Sequence, residues 1–199
     1  MINLKKVCVF CGTKTGNTPI YEETARQLGL LLAQNQLELV YGAGGTGVMK
    51  AVAEGTKMGG GRVTGITIQH LFDIERPDLM QSNMDELKVY QRMFARKVAM
   101  TEVSDAFCVL PGGLGTMDEM FELMVLKQLG IMNKPIIILN VNDFFSDLKA
   151  LLHQLIRDGF VKPHHAETIT FVSDVKDVIP TIRTELEKIA CQTEQTSTY

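Results

Sequence analysis

The run from Pro111 to Glu119, Pro-Gly-Gly-Leu-Gly-Thr-Met-Asp-Glu, holds the residue types best suited to chemistry in this chain. It follows an apolar stretch, Ala106–Leu110, and leads into a helix-like pattern expected from about Met117 to Ile131. Strand, glycine turn and helix start in that order let the backbone approach a ligand closely, because glycine has no Cβ. The first helical amides and the helix dipole then attract an anion. Asp118 and Glu119 fall within one turn of that nest, where a turn built only to grip phosphate gains nothing from negative charge. The pattern therefore points to chemistry done beside a bound phosphate. An ordinary turn whose Asp and Glu merely favour the helix start carries the same local signature.

A basic pair, Arg96-Lys97, lies on the helix expected from Met93, just before the signature strand. Its neighbours Met93, Phe94, Ala95, Val98, Ala99 and Met100 are apolar, so the two charges need a partner, and a phosphate or carboxylate would serve. A solvated helix face is the ordinary alternative. Two more glycine turns, Gly12–Gly16 and Gly42–Gly47, end strand candidates and line up with the signature turn. Gly42, Gly44 and Gly47 formally satisfy G-x-G-x-x-G, but no acidic residue ends the next strand, where Thr67-Ile68-Gln69 stands, so a dinucleotide site is disfavoured. Neither a P-loop nor a G-x-S-x-G elbow is present. His70, His153, His164 and His165 show no metal-ligand spacing, and no metal or cofactor is expected. Cys8 and Cys11 have C-x-x-C spacing within a strand and its turn rather than at a helix start, so reduced, structural thiols are expected. Cys11 also lacks the arginine of a phosphatase loop, since position 17 is Asn.

These residues need a scaffold, and the chain supplies a repeating one. Strands are expected at Lys6–Phe10, Glu38–Tyr41, Arg62–Ile68, Glu86–Tyr90, Ala106–Leu110, Pro135–Asn140 and Thr168–Val172. Helices are expected at Pro19–Gln34, Val48–Gly59, Met93–Val103, Met117–Ile131, Phe144–Asp158 and Asp174–Ile189. Continuous apolar strands such as Ile136–Leu139 read as buried on both faces of a parallel sheet. The alternation implies an α/β fold, a doubly wound, mostly parallel, Rossmann-like sheet flanked by helices in one domain over residues 1–190. A polar tail is expected over 191–199. The stretch from Gln69 to Asp85 reads as a loop able to close over a ligand. With 199 residues, 45% of them hydrophobic and 22% charged, the chain has the composition of a soluble globular domain. A net charge of −3 supplies no footprint for nucleic acid. No apolar run approaches the roughly 18 residues that span a bilayer. The N-terminus shows no signal-peptide layout, and a cytoplasmic location is expected.

Pro111–Glu119 fits P-G-G-x-G-T-x-x-E at every fixed position, with Arg96-Lys97 upstream at a matching distance. In these motifs the chain resembles the Lonely Guy family of cytokinin-activating phosphoribohydrolases, long labelled lysine decarboxylases. Agreement extends to Val9–Gly12, Leu39–Met49 and Gln128–Ile131, and covers about residues 7 to 175. The resemblance implies hydrolysis of the N-glycosidic bond of an adenosine 5′-monophosphate-type nucleotide, releasing free base and ribose 5-phosphate. It implies catalytic roles for Arg96 and Glu119, with Lys97 and Gly112, Gly113, Leu114, Gly115 and Thr116 binding substrate. Glu75 matches an acidic position near the base, Gly12 and Thr13 border the phosphate or ribose, and Gly44 and Gly45 complete the candidate binding set. Asp118 is expected to meet a ribose hydroxyl or the base. The resemblance also favours a homodimer, with the helix after the signature near the partner.

The chain departs from the family pattern in three places. Phe94-Ala95 precedes Arg96 where the family often has His-x, Val125–Gln128 replaces Thr-Trp-Ala-Gln, and three residues are added between Glu75 and Glu86. Glu119 is untouched, so the base pocket is where this protein is expected to differ. On chemical grounds Glu119 would stabilise an oxocarbenium-like ribose and orient or deprotonate water. Arg96 would bind phosphate or ribose and keep Glu119 ionised and aimed. The competing reading is a module that holds AMP-like nucleotides without turning them over. A pyridoxal decarboxylase would need a Schiff-base lysine that a phosphate-binding turn does not provide.

Overall fold

The computed structural model describes residues 4–74 and 83–196, so Glu75 lies outside the described residues. Seven strands are seen: β1 Lys6–Phe10, β2 Glu38–Tyr41, β3 Val63–Ile68, β4 Glu86–Tyr90, β5 Ala106–Val109, β6 Ile136–Leu139 and β7 Thr170–Val172. The α-helices are α1 Ile20–Gln34, α2 Gly47–Met58, α3 Gln69–Ile74, α4 Met93–Val103, α5 Leu114–Gln128, α6 Ser146–Arg157 and α7 Val178–Thr196. The strands form one sheet in the order β4-β3-β2-β1-β5-β6-β7, and every described pairing is parallel.

Alternate side chains of the central strands explain why both faces are covered. On β1, Val7 and Val9 pack with Ala25, Leu28 and Leu32 of α1, while Cys8 and Phe10 pack with Met100 of α4 and Met120 and Leu123 of α5. A strand buried on both sides has no use for polar alternation, hence the near-continuous apolar runs. Along the chain, β1 to β4 build the sheet outward in one direction and β5 to β7 in the other. The reversal leaves a crevice at the carboxyl ends of β1 and β5, the usual ligand position in such sheets.

Three elements differ most from expectation. Helix α5 begins at Leu114, three residues earlier than its apolar pattern indicates, because Gly113 in extended conformation serves as N-cap and Leu-Gly-Thr already forms the first turn. The polar tail expected from residue 191 continues α7 as far as Thr196, since Gln and Glu are good helix formers. Part of the expected 69–85 loop is also ordered as α3.

Candidate active site

Arg96 and Glu119 meet at the floor of the crevice. Arg96 is the fourth residue of α4 and Glu119 the sixth of α5, so one helix on each side of β5 contributes one charge. The guanidinium Nη1 donates to Glu119 Oε1 at 2.9 Å, and each residue is only 5% exposed. The remaining geometry fixes the arginine: Nε donates to the Ile66 carbonyl of β3 at 3.0 Å, and Nη1 also lies 3.3 Å from Met93 Sδ. A Cβ at position 42 would stand 2.6 Å from Nη2, so Gly42 makes room for this side chain.

Burial pushes the Glu119 carboxyl above the usual carboxylate range. Arg96, by charge and hydrogen bond, and Lys97, by charge, oppose that rise, whereas Asp118 adds to it. The result is a carboxylate that is paired yet more basic than a solvent-exposed glutamate, the direction that suits a general base.

The cleft above this pair holds about 290 Å³. Gly113, Leu114, Gly115 and Thr116 form one wall, Gly12 and Thr13 another, and Met49, Leu71 and Met93 supply apolar surface. The first α-helical bond of α5 runs from the Met117 amide to the Gly113 carbonyl at 3.1 Å, so the amides of residues 114–116 precede the in-helix ladder. Nothing stands within 4 Å of where a Cβ would be at Gly113 or Gly115, which leaves this end open to an anion. Gly112 differs: a Cβ there would strike Thr116 Oγ1, and the residue packs against Gly12 instead. Gly12, Thr13 and Gly113 also border an adjoining cavity of about 300 Å³, walled in part by Lys14, Tyr21 and Phe144. A more open groove of about 860 Å³ lies between the end of α5 and α7. Volume alone would favour that groove; the buried Arg96–Glu119 pair selects the smaller cleft.

Other candidates are placed apart from the cleft wall. The second glycine turn is consumed by packing: the amides of Val48 and Met49 donate to the carbonyls of Lys14 and Gly12 at 3.4 and 3.0 Å. Thr46 Oγ1 donates to the Thr13 carbonyl at 2.9 Å. The Val48 and Met49 amides at the start of α2 are therefore spoken for, and Gly44 is pressed against Met49 and Thr13. Neither Gly44 nor Gly45 is among the cleft-lining residues. Lys97 also lies off the cleft wall, its Nζ 3.1 Å from Asp118 and 2.7 Å from Glu122. Met49, Leu71 and Met93, which do line the cleft, had no chemical signature in the sequence; only the fold brings them there. The buried Cys11 thiol is inert by environment, since burial and then the Glu119 charge push it well up. Cys8, Cys11 and Cys108 are buried and free, and Cys191 is free and exposed. Among the described residues no cluster of His, Cys, Asp and Glu is arranged to hold a metal, and no helix is long and apolar enough to cross a membrane.

A parallel sheet with its crevice at the switch point, open helix amides and a buried Arg–Glu pair define an α/β protein with a cleft suited to an anionic small molecule. Residues 49–182 match a family described as possible lysine decarboxylase. The chain is 35% identical to a cytokinin riboside 5′-monophosphate phosphoribohydrolase of Arabidopsis thaliana over 175 residues, covering 88% of this chain and 79% of the relative. A probable enzyme of the same name from Oryza sativa subsp. japonica is 39% identical over 157 residues, 79% of this chain and 69% of the relative. The chain belongs to this phosphoribohydrolase family, the Lonely Guy family. In fold it is similar to the molybdenum cofactor carrier protein of Chlamydomonas reinhardtii, with a TM-score of 0.70, 20% identity and coverage of 93% and 99% of the two chains. It is likewise similar to the molybdenum cofactor binding protein of Rippkaea orientalis, with a TM-score of 0.69, 21% identity and coverage of 92% and 98%.

Proposed function

We propose that the cleft hydrolyses the N-glycosidic bond of adenosine 5′-monophosphate-type nucleotides, AMP or its N6-modified cytokinin counterparts, to free base and ribose 5-phosphate. The observation that carries this reading is the buried Arg96–Glu119 pair directly beside the open amides of α5. Those amides, with Gly113, Gly115 and Thr116, take the 5′-phosphate, whose binding energy places C1′ over the carboxylate. As the C1′–N bond breaks, its electrons leave with the base and the ribose becomes cationic. Glu119 faces that charge and takes a proton from the attacking water, whose oxygen bonds to C1′, and that proton is then passed on to the departing base, which restores the carboxylate. Arg96 keeps Glu119 aimed and opposes its protonation.

A Schiff-base lysine is not among the described cleft-lining residues, which disfavours pyridoxal decarboxylation despite the family description. We also assign the protein to the cytoplasm, where its free thiols stay reduced, and take its working form to be a homodimer.

The test is incubation with AMP, an N6-prenylated AMP and adenosine, followed by chromatography for free base. Base release from the monophosphates but little from adenosine supports the proposal. Tight nucleotide binding with no release would make the protein a non-catalytic nucleotide module, and equal use of adenosine and AMP would refute the phosphate anchor.

A further inference from the structure

Adjacent residues on a helix point about 100° apart, so Arg96 and Lys97 cannot serve the same place. Arg96 turns inward to Glu119. Lys97 turns to the flank of α5, where Asp118 and Glu122, one helical turn apart, present their carboxylates on one face. The Lys97 side chain is 17% exposed, against 28% for Glu122 and 58% for Asp118. One partly buried lysine thus holds two carboxylates of the helix that carries Glu119.

We propose that Lys97 is a positioning residue that clamps α4 to α5 through Asp118 and Glu122, fixing the distance between Arg96 and Glu119 without touching substrate. This rests on the hydrolase reading above, and it gives Asp118 a role inside the protein in place of a ribose or base contact.

The ammonium is well placed to stay charged. Burial acts against its charge, but the hydrogen bonds that it donates to Glu122 and Asp118 outweigh it and hold its pKa above the ordinary lysine value. The titratable and charged groups facing Glu119 are Arg96 and Lys97 of α4, Asp118 of its own helix, and the thiols of Cys8 and Cys11 beneath it. Lys97 lowers the Glu119 pKa and Asp118 raises it. The clamp therefore makes a paired prediction that a phosphate ligand would not. Lys97→Met and Glu122→Gln should each lower kcat, by about tenfold for the lysine, with KM for AMP nearly unchanged. Lys97→Arg should restore most of the loss. The acid limb of kcat/KM should move to higher pH in Lys97→Met and to lower pH in Asp118→Asn.

Steady-state kinetics on the four variants and the wild type test this. A raised KM for AMP with kcat intact in Lys97→Met, together with lost preference for AMP over adenosine, would make Lys97 a phosphate ligand and overturn the clamp. Unchanged kinetics in Lys97→Met would overturn it equally. If the wild type releases no base, the hydrolase reading fails on its own. The clamp is then read by a 13C NMR titration of the Glu119 carboxyl, which must move up in Lys97→Met and down in Asp118→Asn to sustain it. A carboxyl that moves in neither variant ends the proposal.

Discussion

A carboxylate at position 119 can act as a base only while it is ionised, and two forces compete over that state. Burial favours the protonated acid, and the Arg96 guanidinium 2.9 Å away favours the anion. Burial wins in direction, so Glu119 titrates above the usual glutamate range. Activity should be lost as pH falls through that raised value, and kcat/KM should show an acid limb above the range of a solvent-exposed glutamate. Arg96→Gln removes the opposing charge, so the limb should move further up while the rate at its plateau falls; a limb that stays put would mean another group titrates there. Glu119→Gln keeps an acceptor for Nη1 and should cut kcat by about a thousandfold or more with an unchanged circular dichroism spectrum. Glu119→Ala is a harsher change, since it strands a buried guanidinium. It should cost about 3 kcal/mol of stability in urea unfolding, a loss absent from the Gln variant.

At the scale of elements, glycine does two opposite jobs, and one substitution separates them. Gly55 of α2 and Gly29 of α1 sit where the helices touch backbone to backbone: a Cβ at Gly55 would run into the Arg26 carbonyl, and one at Gly29 into the Val52 carbonyl. Gly55→Ala should therefore destabilise by about 2 kcal/mol as the helices are forced apart. Gly115 meets nothing, yet lines the cleft at the first turn of α5. Gly115→Ala should leave the melting temperature equal or higher, because alanine is the better helix former, while raising KM for AMP several-fold. A stable variant with unchanged KM would remove the amide nest from the binding site. This division also shows what the sequence could and could not disclose. Strand runs and helix periodicity are local, so the elements were legible to within a few residues, as was the pairing of a glycine turn with a nearby acid. The loss of the Val48 and Met49 amides, just after the Gly42–Gly47 turn, to the carbonyls of Lys14 and Gly12 was not legible, because it depends on two loops more than thirty residues apart. The choice between Arg96 and Lys97 was hidden for the same reason: it depends on how α4 and α5 cross over β5. The start of α5 at Leu114 escaped because a glycine N-cap has no side chain to announce it.

For the molecule as a whole, the open question is what covers the outer face of α5. Leu114, Phe121 and Val125 recur at spacings of seven and four, one stripe along the helix, and Leu129 extends it just beyond the last turn. Leu114 is 90% exposed and Val125 51%, and Phe94 on α4 and Ile131 after α5 add to the same kind of surface. Beside the stripe, Phe121, Met124 and Val125 face Leu152, Leu155 and Ile156 of α6 across a small cavity of about 140 Å³. Exposed apolar surface of this extent is the usual mark of an interface. A second copy is the occupant we infer, because this face is continuous with the cleft: Leu114 belongs to both. Light scattering should give a mass near twice the 22.1 kDa of the chain, and Val125→Asp should shift it to the monomer. Because the interface would reach Leu114 at the cleft mouth, the monomeric variant should also lose kcat/KM for AMP even though Arg96 and Glu119 are unchanged. A wild-type protein that runs as a 22.1 kDa monomer at working concentration would refute the dimer. A monomeric Val125→Asp with full activity would keep the dimer but detach it from the site.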